Sequence, residues 1–242
     1  MRDGPDRFTP NEIFLMDSAQ LRAWRKAERE RLIAARLAVP SDQLWQWCRT
    51  IDQHLELGFP HLHRGIVGFC WPYKNEYDPR FLLRRLRARG AVTALPVVVA
   101  PRTPLIFREW HPGVRTVPGV YDIPYPADSA ECLPDTVLLP MNGFDRQGYR
   151  LGYGAGYFDR TLAAIRKRPH VIGVTFELAA LETIHPQPYD VPVDFVVTER
   201  GLYRRDAGAL EFLGAPDSAA RPLASPVCYA DEPPEAAPRN SR

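Results

Sequence analysis

A series of short, almost unbroken apolar runs constrains this chain more than any other feature: Gly65–Cys70, Val92–Ala100, Thr136–Leu139, His170–Phe176 and Val193–Val197. A strand with one wet face alternates apolar and polar residues, whereas a strand covered on both faces, as in a parallel sheet, reads as a continuous apolar run. Between the runs lie segments with helical spacing, so strand, loop, helix and strand follow one another as βαβ units. The expected fold is α/β, a three-layer α/β/α arrangement with a mostly parallel central sheet. Ligands in such sheets bind beyond the carboxyl ends of the strands. The loops after Cys70, Ala100, Leu139, Phe176 and Val197 are therefore the candidate site, and the first and third carry the most polar and aromatic groups.

Periodicity also places the helices. Leu21, Trp24, Ala27 or Glu28, Arg31 or Leu32, Ala35 and Leu37 fall at 3.6-type spacing from Asp17 until Pro40 stops the helix, and Ser41-Asp42 is the expected cap of a second helix ended by Gly58. Trp45 and Trp47 of that second helix read as core. A third helix starts at Asp78-Pro79 and stops at Gly90, a fourth runs from Asp159 to Arg168 before Pro169, and a short one lies near Leu178–Thr183. Leu105–Trp110 reads as a further strand, with antiparallel pairing one option, followed by a proline-broken connection. Residues 1–16 read as a disordered lead, residues 17–213 as a single domain, and residues 214–242, rich in Pro, Ala and Ser, as a disordered tail.

Composition sets outer bounds. A chain of 242 residues that is 45% hydrophobic can bury one proper core. No stretch approaches the roughly 18 apolar residues of a membrane span, and the start MRDGPDRFTPNE lacks a secretory apolar run, so the expectation is a cytoplasmic protein without a membrane partner. Cys48, Cys70, Cys132 and Cys228 show neither CxxC nor zinc spacing. A net charge of +2 is too mild to argue for nucleic acid, although basic residues cluster in Arg22–Arg36 and Arg80–Arg89. Both clusters read most simply as solvated helix faces.

The chemistry concentrates in Leu138–Leu162, LLPMNGFDRQGYRLGYGAGYFDRTL. Gly152, Gly154 and Gly156 open a helix begun by Tyr157-Phe158-Asp159, a layout that offers backbone N–H groups and a helix dipole to an anion. The alternative is a glycine-rich turn with no ligand, since GxGxG is neither the dinucleotide fingerprint nor a Walker loop. No cation stands inside the loop, so positive charge must come from Arg150 or from elsewhere, with Arg25 and Arg29, one turn apart, as candidates. Asp159 reads as a helix cap or a Mg²⁺ ligand. Asp194 sits within an apolar strand and needs a metal, an arginine or a backbone cage. Glu76, near Trp71 and Tyr73, suits a flat, nitrogen-rich heterocycle, and Trp110 suits either a wall of that pocket or the core. The histidines form no HxxxH or triad-like grouping, and GxSxG is absent.

The run FDRQGYRLGYGAGYFDR, with the arginine-rich first helix, GFCWPYKNEYD, LIFREW and VPVDFVV, resembles the 5-formyltetrahydrofolate cyclo-ligase family over about Leu21–Arg204. The resemblance implies a three-layer α/β/α fold and an ATP- and Mg²⁺-dependent ligase that converts 5-formyltetrahydrofolate into 5,10-methenyltetrahydrofolate through phosphorylation of the formyl oxygen. It implies ATP contacts from Arg25, Arg29, Arg150, Leu151, Gly152, Tyr153, Gly154, Ala155, Gly156, Tyr157 and Phe158. It implies folate contacts from Trp71, Glu76, Tyr153, Gly154, Ala155, Gly156 and Tyr157, with Trp110 as a further wall, and magnesium at Asp159 and Asp194. Arg150 and Tyr157 are the expected catalytic pair. Where many relatives carry a basic residue in the glycine loop, this chain has Tyr153 and Ala155. The partners expected are reduced folate and ATP, acting on a monomer. Competing readings are a sugar-phosphate or acyl-CoA enzyme of similar fold, a phosphometabolite-sensing module, or an RNA-binding protein using the Arg22–Arg36 helix.

Overall fold

The computed structural model describes residues 16–119 and 123–217; the expected lead and nearly all of the expected tail lie outside them. The elements in order are α1 (Ser18–Leu37), α2 (Ser41–Gly58), β1 (Ile66–Phe69), α3 (Arg80–Ala88), β2 (Val92–Val97), β3 (Ile106–Trp110), β4 (Thr116–Pro118), β5 (Pro124–Pro126), β6 (Thr136–Pro140), β7 (Gly143–Asp145), β8 (Arg150–Leu151), α4 (Tyr157–Ala164), β9 (His170–Val174), β10 (Ala180–Leu181), β11 (Phe195–Val197), β12 (Leu202–Asp206) and β13 (Ala209–Gly214).

Among the described residues the main sheet has eight strands in the order β13-β12-β11-β9-β6-β1-β2-β3. Its central run, β2 to β11, is parallel, and antiparallel strands close both sides. Successive residues of the central strands point to opposite faces, and both faces are covered. Leu138, Ile172, Phe195 and Val197 join Ile51 and Leu55 of α2 and Leu82, Leu83 and Leu86 of α3 in one core. Val137, Leu139, Val171 and Val196 join Leu162 of α4 in the other. This two-sided burial is why those strands read as continuous apolar runs, and it makes the α/β/α layering a consequence of their sequence. Among the described residues no helix is long and apolar enough to cross a membrane.

The structure departs from the sequence reading in several places. Ser41 is the first helical residue of α2, the cap position belongs to Pro40, and no side chain caps that end. Trp45 is 58% exposed with Arg49 over its ring, while Trp47 packs on Phe176. Residues two apart on a helix lie about 200° apart, so only one of the two indoles can face the core. Helix α4 ends at Ala164, with Ile165 already extended, because the chain must turn to enter β9 at His170. A 3₁₀ turn over Glu177–Ala179 leads straight into β10 where a short helix was expected near Leu178–Thr183.

Small antiparallel pairs escape apolar periodicity. The proline-rich connection contains the β4–β5 ribbon, and the polar hairpin β12–β13 turns through Ala207 and Gly208, both at positive φ. The boundary expected at Gly214 falls on the last residue of β13. β7 pairs with β8 and β10 in a separate three-stranded sheet that carries the glycine-loop region, and Leu32 of α1 packs there against Leu151 and Ile184.

Candidate functional site

Two loops meet at the carboxyl edge of the parallel strands. The first follows β1. Lys74 and Asn75 both take positive φ, 49° and 56°, and Glu76 N–H donates to Tyr73 O at 3.1 Å, which is a mirror-image tight turn. Left-handed backbone is unfavourable for residues with a Cβ, and here it is held from outside. Arg36 of α1, only 3% exposed, donates from Nε to Lys74 O at 2.8 Å. The turn brings Glu76 inward, to 7% exposure, where its carboxylate accepts from Tyr73 N–H at 3.0 Å and from the Tyr153 hydroxyl at 2.8 Å. Arg36 Nη2 stands 3.9 Å from the same carboxylate. Burial raises the Glu76 pKa above the ordinary carboxylate range, against the lowering effects of Tyr153, Arg36 and the Tyr73 amide.

The second loop follows β8. Gly154 and Gly156 take φ of 95° and 64°, and Gly156 occupies the N-cap position of α4. A Cβ at Gly154 would lie 3.2 Å from the Arg29 guanidinium, and one at Gly156 would lie 3.1 Å from that of Arg160. Arg29 Nε donates to Gly152 O at 2.6 Å, and burial, with Arg25 next, lowers its pKa. Arg160 donates to Ala155 O and lies over the Tyr157 ring, 5.3 Å from its centroid. The loop that lacks an internal cation is therefore flanked by two guanidiniums from helices, in front of the free N–H groups of α4. The two loops are joined: Tyr153 of the glycine loop holds Glu76, and its ring packs against Tyr73 at 5.9 Å.

The remaining expected site residues divide. Tyr157 and Phe158 open α4, and Leu151 is buried in the small core with Leu32. Trp71 and Trp110 meet edge to face at 6.1 Å, with Trp110 itself buried against Phe69. Arg25 is not among the loop cations. It is tied to Asp190 at 2.6 Å and to the carbonyls of Ile184 and His185. Arg150 is also turned inward, with Nη2 2.8 Å from Asp159 Oδ1 and Nη1 on Val191 O, and burial lowers its pKa.

A magnesium ion tests differently at the two expected aspartates. Asp159 Oδ1 is shared by Arg150 and by Val191 N–H, and Asp159 lies in the first turn of α4 behind the glycine loop, so it fits one carboxylate partner for an ion carried in by phosphates. Asp194 does not fit. It sits at the amino end of β11, with Oδ1 on Arg168 and Oδ2 on Val171 N–H, both at 2.8 Å. Among the described residues no group of three or more His, Cys, Asp or Glu could hold a metal.

Sequence reasoning missed Arg36, Arg160 and Asn142. Arg36 continues the stripe Arg25, Arg29, Leu32 at helical spacing, and a buried Leu32 on that stripe was the available signal. Asn142, just past β6, is 2% exposed and its amide has no hydrogen-bond partner among the described residues.

The fold and site together define an α/β protein in which a glycine loop ahead of a helix and a buried carboxylate share the carboxyl edge of a parallel sheet. The sequence profile of the 5-formyltetrahydrofolate cyclo-ligase family matches residues 21–199, and the chain belongs to that family. The 5-formyltetrahydrofolate cyclo-ligase of Mycolicibacterium smegmatis is 35% identical over 140 residues, 54% of this chain and 72% of that protein. The Escherichia coli K12 protein of the same name is 29% identical over 146 residues, 57% of this chain and 80% of its own length. The solution structure of Aquifex aeolicus 5,10-methenyltetrahydrofolate synthetase superposes with a TM-score of 0.65 at 24% identity, covering 78% of this chain and 97% of that one, a likeness of fold.

Proposed function

We propose that residues 17–213 form one catalytic unit that uses ATP to cyclise 5-formyltetrahydrofolate to 5,10-methenyltetrahydrofolate. One observation carries the assignment to this site: the buried Glu76 carboxylate is hydrogen-bonded to Tyr153 of the glycine loop, so a heterocycle acceptor and a phosphate cradle share one wall. A pterin presents adjacent N–H donors along one edge, and a desolvated carboxylate is the complementary acceptor. Family membership supports the reading.

The formyl oxygen is a poor leaving group. Attack of that oxygen on the γ-phosphorus forms an O–P bond, breaks the bond to the ADP oxygen and leaves an iminium phosphate. N10 then adds to the same carbon, loses its proton, and inorganic phosphate departs as the methenyl bridge forms. The protein's task is positioning and charge neutralisation. Arg29 and Arg160 flank the glycine loop, the α4 N–H groups face the same way, and Glu76 fixes the heterocycle. Mg²⁺, when bound with ATP at Asp159, offsets phosphate charge. Arg150 acts by holding Asp159 and the Val191 segment, and Arg25 by anchoring α1 to Asp190; neither is assigned a direct phosphate contact.

The arginine-rich helix supports a small-molecule partner over RNA, because Arg25 and Arg36 are turned onto internal acceptors and Arg29 onto the glycine loop. The test is to mix the protein with 5-formyltetrahydrofolate, ATP and Mg²⁺ and follow the near-ultraviolet absorbance of the methenyl product. Stoichiometric ADP release with that absorbance is the expected result. Absence of both, beside an active control enzyme, would overturn the assignment.

A further inference from the structure

Asn142 carries a buried amide that the fold leaves unpaired. The residue is 2% exposed, and neither its Oδ1 nor its Nδ2 has a hydrogen-bond partner among the described residues. A primary amide brings two N–H donors and a carbonyl acceptor, and burying them unpaired destabilises the folded chain. Leucine has the same branched outline without the polar atoms. The polar groups that flank Asn142 are engaged elsewhere: Thr175 Oγ1 donates to Met141 O at 2.8 Å, Arg150 holds Asp159 and Val191 O, and the Tyr153 hydroxyl is on Glu76.

Position in the chain gives the amide its direction. Side chains leave β6 alternately: Leu139 and Met141 enter the core beneath α4, whereas Leu138 and Pro140 line a small cavity closed by Cys70, Glu76 and Tyr77. Asn142 is the next residue on the Glu76 side. Its backbone is tied to the glycine loop, because its N–H donates to Leu151 O at 2.9 Å, one residue before Gly152. On the other flank, β6 lies beside β1, whose loop delivers Glu76. The unpaired amide therefore stands between the heterocycle acceptor and the phosphate cradle.

A ligand group in that position must belong to the heterocycle and reach the phosphate. In the reaction above that group is the N5-formyl, whose oxygen receives the γ-phosphoryl. It is a carbonyl acceptor with two lone pairs and no donor. We propose that Asn142 selects the formyl group: Nδ2 donates to the formyl oxygen, occupies one lone pair and leaves the other aimed at the γ-phosphorus. That second pair forms the O–P bond as ADP leaves, and no proton moves to or from the amide, so Asn142 contributes orientation. The bond made on binding relieves the desolvation carried by the free protein, and a folate whose N5 substituent lacks the carbonyl forfeits it. This inference rests on the folate reading above.

Calorimetric titration of the full chain with 5-formyltetrahydrofolate and with 5-methyltetrahydrofolate, which keeps the ring and lacks the carbonyl, tests it without ATP or turnover. The parent should prefer the formyl compound, and Asn142→Leu should reduce that preference roughly threefold to tenfold, the worth of one neutral hydrogen bond. In turnover the KM for the folate should rise by a similar factor, with the KM for ATP unmoved. Asn142→Ala removes the same amide without added bulk and should reduce the preference equally. Its thermal midpoint should fall below that of Asn142→Leu, which should match or exceed the parent's because the deleted amide has no partner in the free protein. An unchanged preference in either variant, or loss of the fold in both, would overturn the inference. A midpoint as low in Asn142→Leu as in Asn142→Ala would overturn it too, by showing that the amide is already partnered within the protein. A KM rise confined to ATP would do the same by assigning the amide to a phosphate. Methenyl formation with an Asn142-independent preference would sink this inference alone. An Asn142-dependent preference without methenyl formation would sink the catalytic reading alone, and no binding of either folate would sink both.

Discussion

At the carboxyl edge of the central sheet, Glu76 is held largely by other side chains: the Tyr153 hydroxyl at 2.8 Å and the Arg36 guanidinium at 3.9 Å, with one backbone amide, that of Tyr73. At the amino edge, Asp135 and Asp194 each grip a strand amide: Asp135 Oδ2 accepts from Ile66 N–H at 2.9 Å and Asp194 Oδ2 from Val171 N–H at 2.8 Å, while Asp194 Oδ1 pairs with Arg168 at 2.8 Å. Side-chain donors can rotate away when a ligand arrives, whereas a strand amide cannot. The same carboxylate chemistry therefore leaves an acceptor with movable partners at one edge and pins strand entry at the other. Arg150 neighbours the glycine loop in sequence yet belongs physically to the second kind, since it is locked on Asp159 and Val191.

The largest effect is expected from Arg150→Ala, which leaves Asp159 without its buried partner. Unfolding free energy should drop by about 3 kcal/mol, measured by urea titration. Unchanged stability with lost ATP use would move Arg150 into the phosphate site and break the comparison. Glu76→Gln should lower kcat/KM between roughly tenfold and a hundredfold, the worth of a hydrogen bond to a charged group, with no loss of thermal stability. Because burial raises the pKa of Glu76, its contribution to stability is present at acidic pH and is lost as pH rises through the folded value, above the ordinary 4.5. The variant should thus gain stability over the parent as pH rises from about 4 towards about 8, and the parent's activity should fall on the acid side above the range of a free carboxylate.

Asp194→Ala strands the Val171 N–H and should cost about 1–3 kcal/mol, while turnover of the folded protein and its Mg²⁺ dependence stay as in the parent. A collapse in Mg²⁺ affinity would instead return Asp194 to the metal. The smallest effect is expected from Arg160→Ala: the KM for ATP should rise roughly threefold to tenfold with the folate KM unmoved, and Ala155→Lys in the same chain should restore it. Failure of that rescue would leave Arg160 only the task of packing on Tyr157.

Legibility followed burial. The strands of the parallel core were readable because two-sided packing demands apolar residues at every position. The ribbon β4–β5 and the hairpin β12–β13 were not, since Arg204, Arg205, Asp206 and Glu211 line a one-sided edge that tolerates polar residues. Glu76, Tyr153 and the glycines were readable as a candidate site because carboxylate, aromatic rings and glycines crowd two loops, and the structure brings those loops together through the Tyr153–Glu76 hydrogen bond. Asp194 was readable as a carboxylate needing a metal, an arginine or a backbone cage, and the structure supplies Arg168 and the Val171 amide.

The order of strands and helices, the two-faced sheet, the glycine loop ahead of α4 and the family itself were determined by residue types at local spacing, where side-chain period and backbone sterics act within a few positions. Which acceptor each arginine meets was decided by tertiary structure alone. Arg25 and Arg29 sit one turn apart with the same local text, yet Arg25 is claimed by Asp190, 165 residues away, and Arg29 by Gly152, 123 residues away. A guanidinium's role is set by the acceptor it finds, and those acceptors arrive only when the chain has folded.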